Sequence, residues 1–209
     1  MINLPKKDKN GVPYISYSQI SSFLKNRKEF VKSYFYKEPI QFTAYIDHGA
    51  KVGKALETND FSKFTKDEQK TLKKVPRLDI FEKEVKVDFG EFYLIGYIDT
   101  IRKTYTKLLD YKVGTEKKIA EYQDPNYVQT ILYAMGIQQE TGKLPKETGV
   151  ILIERHGNAF RGEELVIGEK IWEIPLEVSQ KRIKFASELV RETALEISKY
   201  YTTFLKMNK

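Results

Sequence analysis

Two aspartates and a lysine in the segment "GYIDTIRKTYTKLLDYKVG" are the residues of this chain best suited to chemistry. Asp99 and Asp110 lie among β-branched, aromatic and aliphatic residues, where an unpaired carboxylate costs free energy. Asp110 and Lys112 are two positions apart, so on a strand their side chains share one face. If Asp99 ends a neighbouring strand, both carboxylates and the Tyr111 carbonyl can meet one hard cation. The Lys112 ammonium would then lower the pKa of a nearby water or stabilise negative charge on a phosphate.

These residues also have ordinary structural interpretations. Asp-x-Lys is a common tripeptide, and Asp110 and Lys112 could form a simple salt bridge on a solvated strand face. A similar choice applies to Phe23, Phe30 and Tyr34, which recur at helical spacing beside basic residues. They could face a core, or they could stack on nucleobases while the cations hold phosphates.

The composition excludes several classes of site. The chain has 209 residues, enough for one domain with a sizeable core, and no cysteine. Disulfides, thiolate nucleophiles, iron–sulfur clusters and cysteine-ligated zinc are therefore excluded. The two histidines, His48 and His156, are too few for a histidine-rich metal site. No apolar stretch reaches the roughly 18 residues of a membrane span, and the N-terminus lacks a secretory signal. We therefore expect a cytoplasmic protein, in a bacterium or a phage-infected host, without a membrane partner.

The charge balance is compatible with a polyanionic partner. The chain has 36 Lys and Arg against 29 Asp and Glu, which gives a net charge of +7. In "SSFLKNRKEFVKSYFYK" the basic residues lie among aromatic ones, and Lys25, Arg27 and Lys28 are candidates for holding a nucleic acid by its phosphates.

The first part of the chain is predicted to be helical. Residues 1–13 are polar and are predicted to form a flexible leader, with residues 14–209 as a single domain. "SYSQISSFLKNRKEFVKSYF" predicts one amphipathic helix, and "AYIDHGAKVGKALETND" predicts a second with Ile46, Val52 and Leu56 buried. "TKDEQKTLKKV" predicts a short, solvated helix.

The pattern then changes to that of strands. "IFEKEVKVDFGEFYLIGYIDTIR" alternates about Phe89-Gly90 and predicts a hairpin, followed by strands at "KLLDYKV" and "GVILIER". Between these strands, "DPNYVQTILYAMGIQQETG" predicts a helix capped at Asp124 and ended at Gly142. "EELVIGEKIWEIPL" suits a further hairpin, and a long amphipathic helix follows from Pro175, with Leu195 on its buried stripe. The result is one α/β domain.

Five segments in this order resemble the PD-(D/E)XK nuclease superfamily, in particular its RecB-type exonuclease branch. "SYSQISSFLKNRKEF" is similar to the opening helix of the family, and "HGAKVGKALE" to its Gly-x-x-x-His helix, which ends in an acidic residue. "GYIDTI" resembles the Gly-x-x-Asp strand, "LLDYKVG" the Asp-x-Lys strand, and "YVQTILYAMG" the Gln-x-x-x-Tyr helix. The resemblance implies a restriction-endonuclease-like core, with a central mixed β-sheet flanked by helices.

The resemblance also implies roles for individual residues. Asp99, Asp110 and the Tyr111 carbonyl would ligate Mg²⁺ or Mn²⁺, and Lys112 would be the catalytic lysine. Glu57 would be a third carboxylate, directly or through water; otherwise it is a solvated residue at a helix end. Gln129 and Tyr133 would line the site and contact either the DNA backbone or the Asp-x-Lys strand, unless Tyr133 is only a core aromatic. We list these as the candidate catalytic, metal-binding and DNA-binding residues.

Two positions depart from the family pattern. The family histidine falls on Gly53, and His48 lies on another helix face, so a two-metal site is less secure than a single Mg²⁺. Asn26 stands where cluster-bearing relatives have a first cysteine, so the branch with an iron–sulfur cluster is excluded.

The sequence therefore predicts a metal-dependent deoxyribonuclease, an exonuclease in recombination, repair or phage DNA processing. Its expected partner is single- or double-stranded DNA, with recombination or replication proteins as further candidates. The alternative is a nuclease fold that binds DNA or protein without cutting, which Gly53 favours. An RNA-directed nuclease is a third possibility.

Overall fold

The computed structural model describes residues 2–39 and 43–208, which form seven strands and seven α-helices. The strands are β1 Lys6–Lys7, β2 Pro13–Ser16, β3 Ile80–Asp88, β4 Tyr93–Ile101, β5 Lys107–Gly114, β6 Glu147–His156 and β7 Val166–Leu176. The helices are α1 Tyr17–Lys25, α2 Arg27–Tyr34, α3 Ala44–Thr58, α4 Lys66–Leu72, α5 Ile119–Gln123, α6 Gln129–Thr141 and α7 Gln180–Met207. None of the helices in these two ranges has both the length and the apolar composition to cross a membrane.

The strands form one mixed seven-stranded sheet with the order β1-β2-β4-β5-β6-β7, and β3 also pairs with β4. The β2–β4 and β5–β6 pairs are parallel, and the others are antiparallel. The parallel β5–β6 pair is joined through α6, as parallel strands require a crossover connection. The predicted fold class, a central mixed sheet flanked by helices with a long C-terminal helix, is confirmed.

Strand β4 has three neighbours, and this opens a gap along one of its edges. Strand β3 pairs along one edge of β4 from Tyr93 to Ile101, apart from Asp99, so β2 and β5 must share the other edge. On that shared edge β2 pairs with residues 93–95, and β5 pairs only with Thr100 and Ile101. Residues 96–99, which include Asp99, therefore lie in an interval between two neighbouring strands. We call this interval the β4 gap.

Helix α6 lies against β3 and β4 at very short distance because of a glycine. A Cβ atom on Gly136 would lie 2.2 Å from Cγ2 of Val85 and 2.8 Å from the carbonyl oxygen of Lys86. Only glycine allows this approach without displacing the strand. The contact fixes the helix that carries Gln129 and Tyr133 over the sheet.

The N-terminal segment differs from the predicted flexible leader. Ile2 and Leu4 are buried in the core cluster that also contains residues of α1, α2 and α7. The backbone N–H of Asn3 donates to the hydroxyl of Ser198 in α7 over 2.8 Å. Two apolar residues in a polar segment are too few to show a periodicity, so the sequence pattern did not indicate their burial.

The first predicted helix is divided in two. Helix α1 ends at Lys25, and the side chain of Asn26 accepts a hydrogen bond from the N–H of Glu29, which caps α2. Asparagine competes for backbone hydrogen bonds in this way and favours caps over helix interiors. The core interpretation of Phe23 and Phe30 is confirmed, since both are fully buried.

Three other predictions about elements were wrong. Helix α7 begins at Gln180 and not at Pro175, which lies in β7. Helix α6 begins at Gln129 and not at Asp124, because the Asp124 side chain instead accepts from the N–H of Asn126 in a turn. "EELVIGEKIWEIPL" does not form a hairpin; its residues from Val166 form the single strand β7, which pairs with β6. The Gly142 helix end is confirmed, with Gly142 in the left-handed conformation.

Predicted burial was wrong at three places. Ile46 in α3 and Leu195 in α7 are exposed rather than buried. Helix α4, predicted to be solvated, buries Thr71 and Leu72. Its Glu68 is also buried, and the carboxylate accepts a hydrogen bond from the N–H of Ile167 in β7.

Candidate active site

The two aspartates lie where β4 and β5 separate. The last ladder pair before the separation is Thr100–Leu109, and Asp99 and Asp110 are the next residues on the two strands. Asp110 is only 2% exposed, and its Oδ2 atom lies 2.6 Å from Nζ of Lys112. Because Asp110 is buried and the Lys112 side chain is only 28% exposed, the pair is not the solvated surface salt bridge of the simple structural interpretation. Burying these charges costs free energy, which is typical of functional sites.

Side chains of α6 and the turn before it hold the Asp110 carboxylate. The Gln129 amide donates one proton to Oδ1 of Asp110 and the other to the Tyr133 hydroxyl, both over 3.0 Å. The Tyr127 hydroxyl lies 3.1 Å from Oδ2 of Asp110 and 3.2 Å from Oε1 of Gln129, and its single proton serves one of them at a time. Gln129 thus contacts the Asp-x-Lys strand, one of the two predicted contacts, and Tyr133 is connected to that strand through Gln129. Asp110 is consequently fixed on both oxygens.

Gly96 in the β4 gap makes room for this arrangement. A Cβ atom at Gly96 would lie 2.4 Å from Cε1 and 2.9 Å from the hydroxyl oxygen of Tyr133. The ring of Tyr133 therefore occupies the space that any larger residue would take. The absence of a side chain at Gly96 lets the hydroxyl of Tyr133 reach Gln129.

The electrostatics of the site are dominated by burial and by the nearby carboxylates. Burial and the charge of Asp110 raise the pKa of Asp99 to about 7, although Lys112 and the N–H of Tyr111 oppose this shift. Burial alone would lower the pKa of Lys112, but the charges of Asp110 and Asp99 outweigh it and the pKa lies above its ordinary value. Lys112 therefore remains an ammonium at neutral pH, whereas Asp99 is half-protonated without a further cation.

The donor set suits a hard divalent cation. Asp99, Asp110 and the Tyr111 carbonyl offer only oxygen ligands, and the raised pKa of Asp99 reflects first its burial and then the neighbouring charge of Asp110. Within residues 2–39 and 43–208 no three His, Cys, Asp or Glu side chains are grouped so as to hold a metal. This set fits an ion such as Mg²⁺, which keeps several waters and needs few carboxylates.

Glu57 lies at the end of α3, and its carboxylate is 2.9 Å from the Lys54 ammonium. It is linked to the aspartates through Glu82 in β3: the charge of Glu57 helps to raise the pKa of Glu82, and Glu82 helps to raise that of Asp99. The predicted role of Glu57 as a third ligand stays a prediction.

Glu82 was missed by the sequence reasoning. The β3–β4 register pairs Phe81 with Thr100 and Lys83 with Ile98, so Glu82 is opposite Asp99. The ladder is interrupted there because Glu82 has a positive φ of 49°, which is uncommon for a residue with a side chain. The hairpin register, counted from the turn at Phe89-Gly90, could have identified Glu82.

Three tyrosines around Lys112 were also missed. The charge of Lys112 acts on the hydroxyls of Tyr17 and Tyr122, yet burial dominates and raises the pKa of both to about 12. Burial raises the pKa of Tyr127 as well. All three remain neutral hydroxyl groups. The position of Tyr127, two residues before Gln129, is the sequence signal that could have indicated it.

A groove of about 1130 Å³ opens to the surface beside the candidate site, and Lys112 lines it. Its walls include Lys112, Gln129 and Tyr133 from the site and Ser18, Ser21 and Lys25 from α1. Of the three basic residues predicted to bind phosphates, only Lys25 lines it.

The other two lie elsewhere. Arg27 is 2.7 Å from Glu196 of α7, and Lys28 is exposed outside the groove lining. Gly53, at the position of the family histidine, has open space where a side chain would begin.

Comparison with solved structures supports the fold. An alkaline exonuclease from Laribacter hongkongensis, LHK-Exo, superimposes with a TM-score of 0.53 at 9% identity, covering 94% of each chain. LHK-Exo in complex with dAMP gives a TM-score of 0.51 at 11% identity, covering 92% of this chain and 94% of that one. A candidate exonuclease from Eubacterium rectale gives 0.57 at 10% identity, covering 92% and 84%.

No curated protein matches the sequence. The profile of the PD-(D/E)XK nuclease superfamily, however, matches residues 15–202. That range includes the strands that carry Asp99, Asp110 and Lys112, the helix that carries Gln129 and Tyr133, and nearly all of the surrounding sheet. The resemblance inferred from five short segments is thereby confirmed, and this chain belongs to the PD-(D/E)XK nuclease superfamily.

Proposed function

We propose that this protein is a divalent-metal-dependent deoxyribonuclease that hydrolyses phosphodiester bonds, acting as an exonuclease. The observation that carries the proposal is the buried Asp110–Lys112 pair beside Asp99 at the β4 gap, open to a groove. Membership of a nuclease superfamily, together with this costly group of charges, supports a role in phosphoryl chemistry.

The carboxylates are the residues that would hold the metal. Asp99 and Asp110, with the carbonyl of Tyr111, would bind Mg²⁺ or Mn²⁺, and such an ion supplies charge neutralisation on the phosphate and a water of lowered pKa. Gln129 and Tyr127 keep both oxygens of Asp110 in place, so the site is organised before substrate arrives.

Lys112 would act as a fixed positive charge. Because its pKa is raised, Lys112 stays protonated at neutral pH and does not act as a general base toward water. It instead donates hydrogen bonds to an oxygen of the scissile phosphate and stabilises negative charge as that charge develops. The neutral hydroxyls of Tyr17 and Tyr122 surround it without adding negative charge.

DNA is the substrate that several observations favour. The chain carries a net charge of +7, and Lys25 places a cation on the groove wall. A structural neighbour has been solved with dAMP bound. Arg27 and Lys28 could hold a longer strand outside the groove. We place the activity in recombination, repair or phage DNA processing in the cytoplasm, alongside other proteins of those processes.

The direct test is a cleavage assay with labelled single-stranded DNA, double-stranded DNA and RNA in Mg²⁺, Mn²⁺ or EDTA. We expect metal-dependent degradation of DNA, and a loss of at least about 100-fold in Asp110→Asn and in Lys112→Ala, since each removes a charge in contact with the reacting groups. Size analysis of the products separates stepwise release of mononucleotides from internal cutting.

Lys103→Ala is the matched control, because Lys103 is an exposed lysine in the turn between β4 and β5. It should cleave like the wild type. Binding of DNA without cleavage in any metal would contradict the proposal and support a binding module. Degradation of RNA alone would reassign the substrate.

A further inference from the structure

Three tyrosines form an aromatic surface on the open face of β2 and β4. Tyr14 and Tyr93 are register partners, and their rings stack with centroids 5.6 Å apart and an interplanar angle of 16°. Tyr93 and Tyr97 are four positions apart on β4 and so share a face. Tyr97 is 49% exposed, a large fraction for an aromatic side chain in a strand. We call Tyr14, Tyr93 and Tyr97 the tyrosine platform.

Lysines flank the platform. The Lys6 ammonium lies over the Tyr14 ring, 6.0 Å from its centroid, and the Lys86 ammonium lies over the Tyr93 ring, 5.2 Å from its centroid. Lys86 is also 3.8 Å from Glu84, and the ring of Tyr97 is the one of the three without a lysine over it among the described residues. Aromatic faces bordered by cations are the surface that binds unpaired nucleic acid, because bases stack on the rings and phosphates meet the charges.

An acidic residue decides which part of a nucleotide fits Tyr97. The Tyr97 hydroxyl donates to Oε2 of Glu84 over 3.2 Å, so a carboxylate lies at the edge of this ring. A phosphate would be repelled there, whereas an uncharged base can cover the ring face. Phosphates are better placed at Lys6, at the other end of the platform.

The platform is continuous with the candidate active site. Tyr97 is in the β4 gap, two residues before Asp99, and Tyr14 belongs to the strand on one side of that gap. Lys6, Tyr14, Tyr97 and Lys112 line the same groove. A DNA strand with a phosphate at Lys112 therefore lies in the same groove as the ring of Tyr97.

We propose that the tyrosine platform binds the unpaired bases of a single-stranded DNA segment beside the scissile phosphate, with Tyr97 as the main stacking residue. This inference rests on the proposed function and adds its substrate class. In a duplex the flat faces of interior bases are covered by their neighbours, so only unpaired bases can lie on these rings. The protein accordingly prefers single strands or frayed ends to a blunt duplex.

The test is fluorescence anisotropy with a labelled single-stranded oligonucleotide in EDTA, which prevents cleavage. Tyr97→Ala should weaken binding about tenfold and Tyr14→Ala to a similar extent, as expected for the loss of one stacked base. Tyr97→Phe keeps the ring and should bind like the wild type. Tyr36→Ala is the matched control, because Tyr36 is an exposed tyrosine outside the groove lining.

A second oligonucleotide of the same length with abasic sites separates stacking from folding effects. It keeps the phosphates but has no bases, so wild type and Tyr97→Ala should bind it equally. If Tyr97→Ala weakens binding to both oligonucleotides alike, the ring does not stack on bases and the proposal fails. It also fails if wild type binds blunt duplex as tightly as single strands, or binds no single strand.

The two proposals fail in different ways. Wild type that shows the Tyr97 effect on binding but cleaves nothing in Mg²⁺ or Mn²⁺ supports the platform and contradicts the nuclease. Wild type that cleaves DNA while Tyr97→Ala binds normally supports the nuclease and contradicts the platform. If Tyr97→Ala binds single-stranded DNA normally and loses binding only to a protein partner, the assignment of the platform to nucleic acid is likewise overturned.

Discussion

Asp99 carries the electrostatic imbalance of the site. Two carboxylates meet one ammonium in a buried setting, and the excess negative charge appears as the raised pKa of Asp99, about 7 against an ordinary 3.8. Between these two pH values the folded protein holds more protons than the unfolded chain, so stability falls as pH rises through this window. This is the opposite of a salt-bridged carboxylate, which gains stability as pH rises.

Asp99→Asn should therefore stabilise the metal-free protein at pH 8 and change little at pH 4. We expect a gain in unfolding free energy on the order of 2 kcal/mol at pH 8, measured by urea denaturation in EDTA. Mn²⁺ at pH 8 should stabilise the wild type more than this variant, because the ion neutralises the same charge. The exposed Asp47 offers a control, Asp47→Asn, which should be neutral. An equal effect of Asp99→Asn at both pH values would count against this account.

Residues at short sequence spacing could be predicted, and those placed by distant contacts could not. The same-face relation of Asp110 and Lys112 follows from strand periodicity alone. Glu82 required the register of the β3–β4 hairpin, together with a backbone distortion that no residue type signals. Tyr127 required the exact path of the turn before α6.

At the scale of elements, the contact between β4 and α6 depends on a missing side chain. Gly96→Ala would place a methyl group 2.4 Å from the Tyr133 ring. Tyr133 must then move, and Gln129, which donates to both Tyr133 and Asp110, moves with it. We expect a loss of about 1–3 kcal/mol in unfolding free energy and a clear drop in cleavage rate, measured by urea denaturation and the cleavage assay.

Gly114→Ala is the matched control for this contact. Gly114 also lies in a strand near the site, but a Cβ there would be 3.4 Å from Leu152 and Lys118, an ordinary contact distance. Its stability and activity should stay close to wild type. If Gly96→Ala and Gly114→Ala behave alike, the close approach of Tyr133 is not what requires glycine.

Element types were more predictable than element boundaries. The strands at "KLLDYKV" and "GVILIER" were both predicted because tertiary packing agrees with the local pattern. The division at Asn26 and the late start of α6 were not, since each depends on a side chain that bonds to nearby backbone, Asn26 as a helix cap and Asp124 in a turn. The hairpin predicted at "EELVIGEKIWEIPL" is wrong, since Gly168 lies within strand β7 and its missing side chain accommodates Glu154 of β6.

At the scale of the molecule, the N-terminal segment joins the sheet to the C-terminal helix. Leu4 is 1% exposed within the cluster that includes α7, and Leu4→Ala should lower the free energy of unfolding by about 2–5 kcal/mol. Val12→Ala, at a 38% exposed site in the same segment, should change it by less than about 0.5 kcal/mol. Urea denaturation of both variants checks this, and equal small effects would mean that the segment is held loosely.

The overall fold could be predicted because its order of helices and strands matches a known family arrangement. The packing of residues 2–7 could not, since two apolar residues in a polar segment form no period. Their burial depends on α7, which lies at the other end of the chain.

The β4 gap has a consequence for folding. One side of the gap comes from β5, which follows β4 directly, but the other comes from β2, which is far away in sequence and joins as a parallel partner. Contacts between distant segments form slowly because loop closure costs entropy before the contact is made. The hairpins of β3, β4 and β5 can therefore assemble early, while the cleft proposed to bind the phosphate becomes complete only when residues 13–16 dock. The proposed cleavage activity would thus arise late in the folding of the chain.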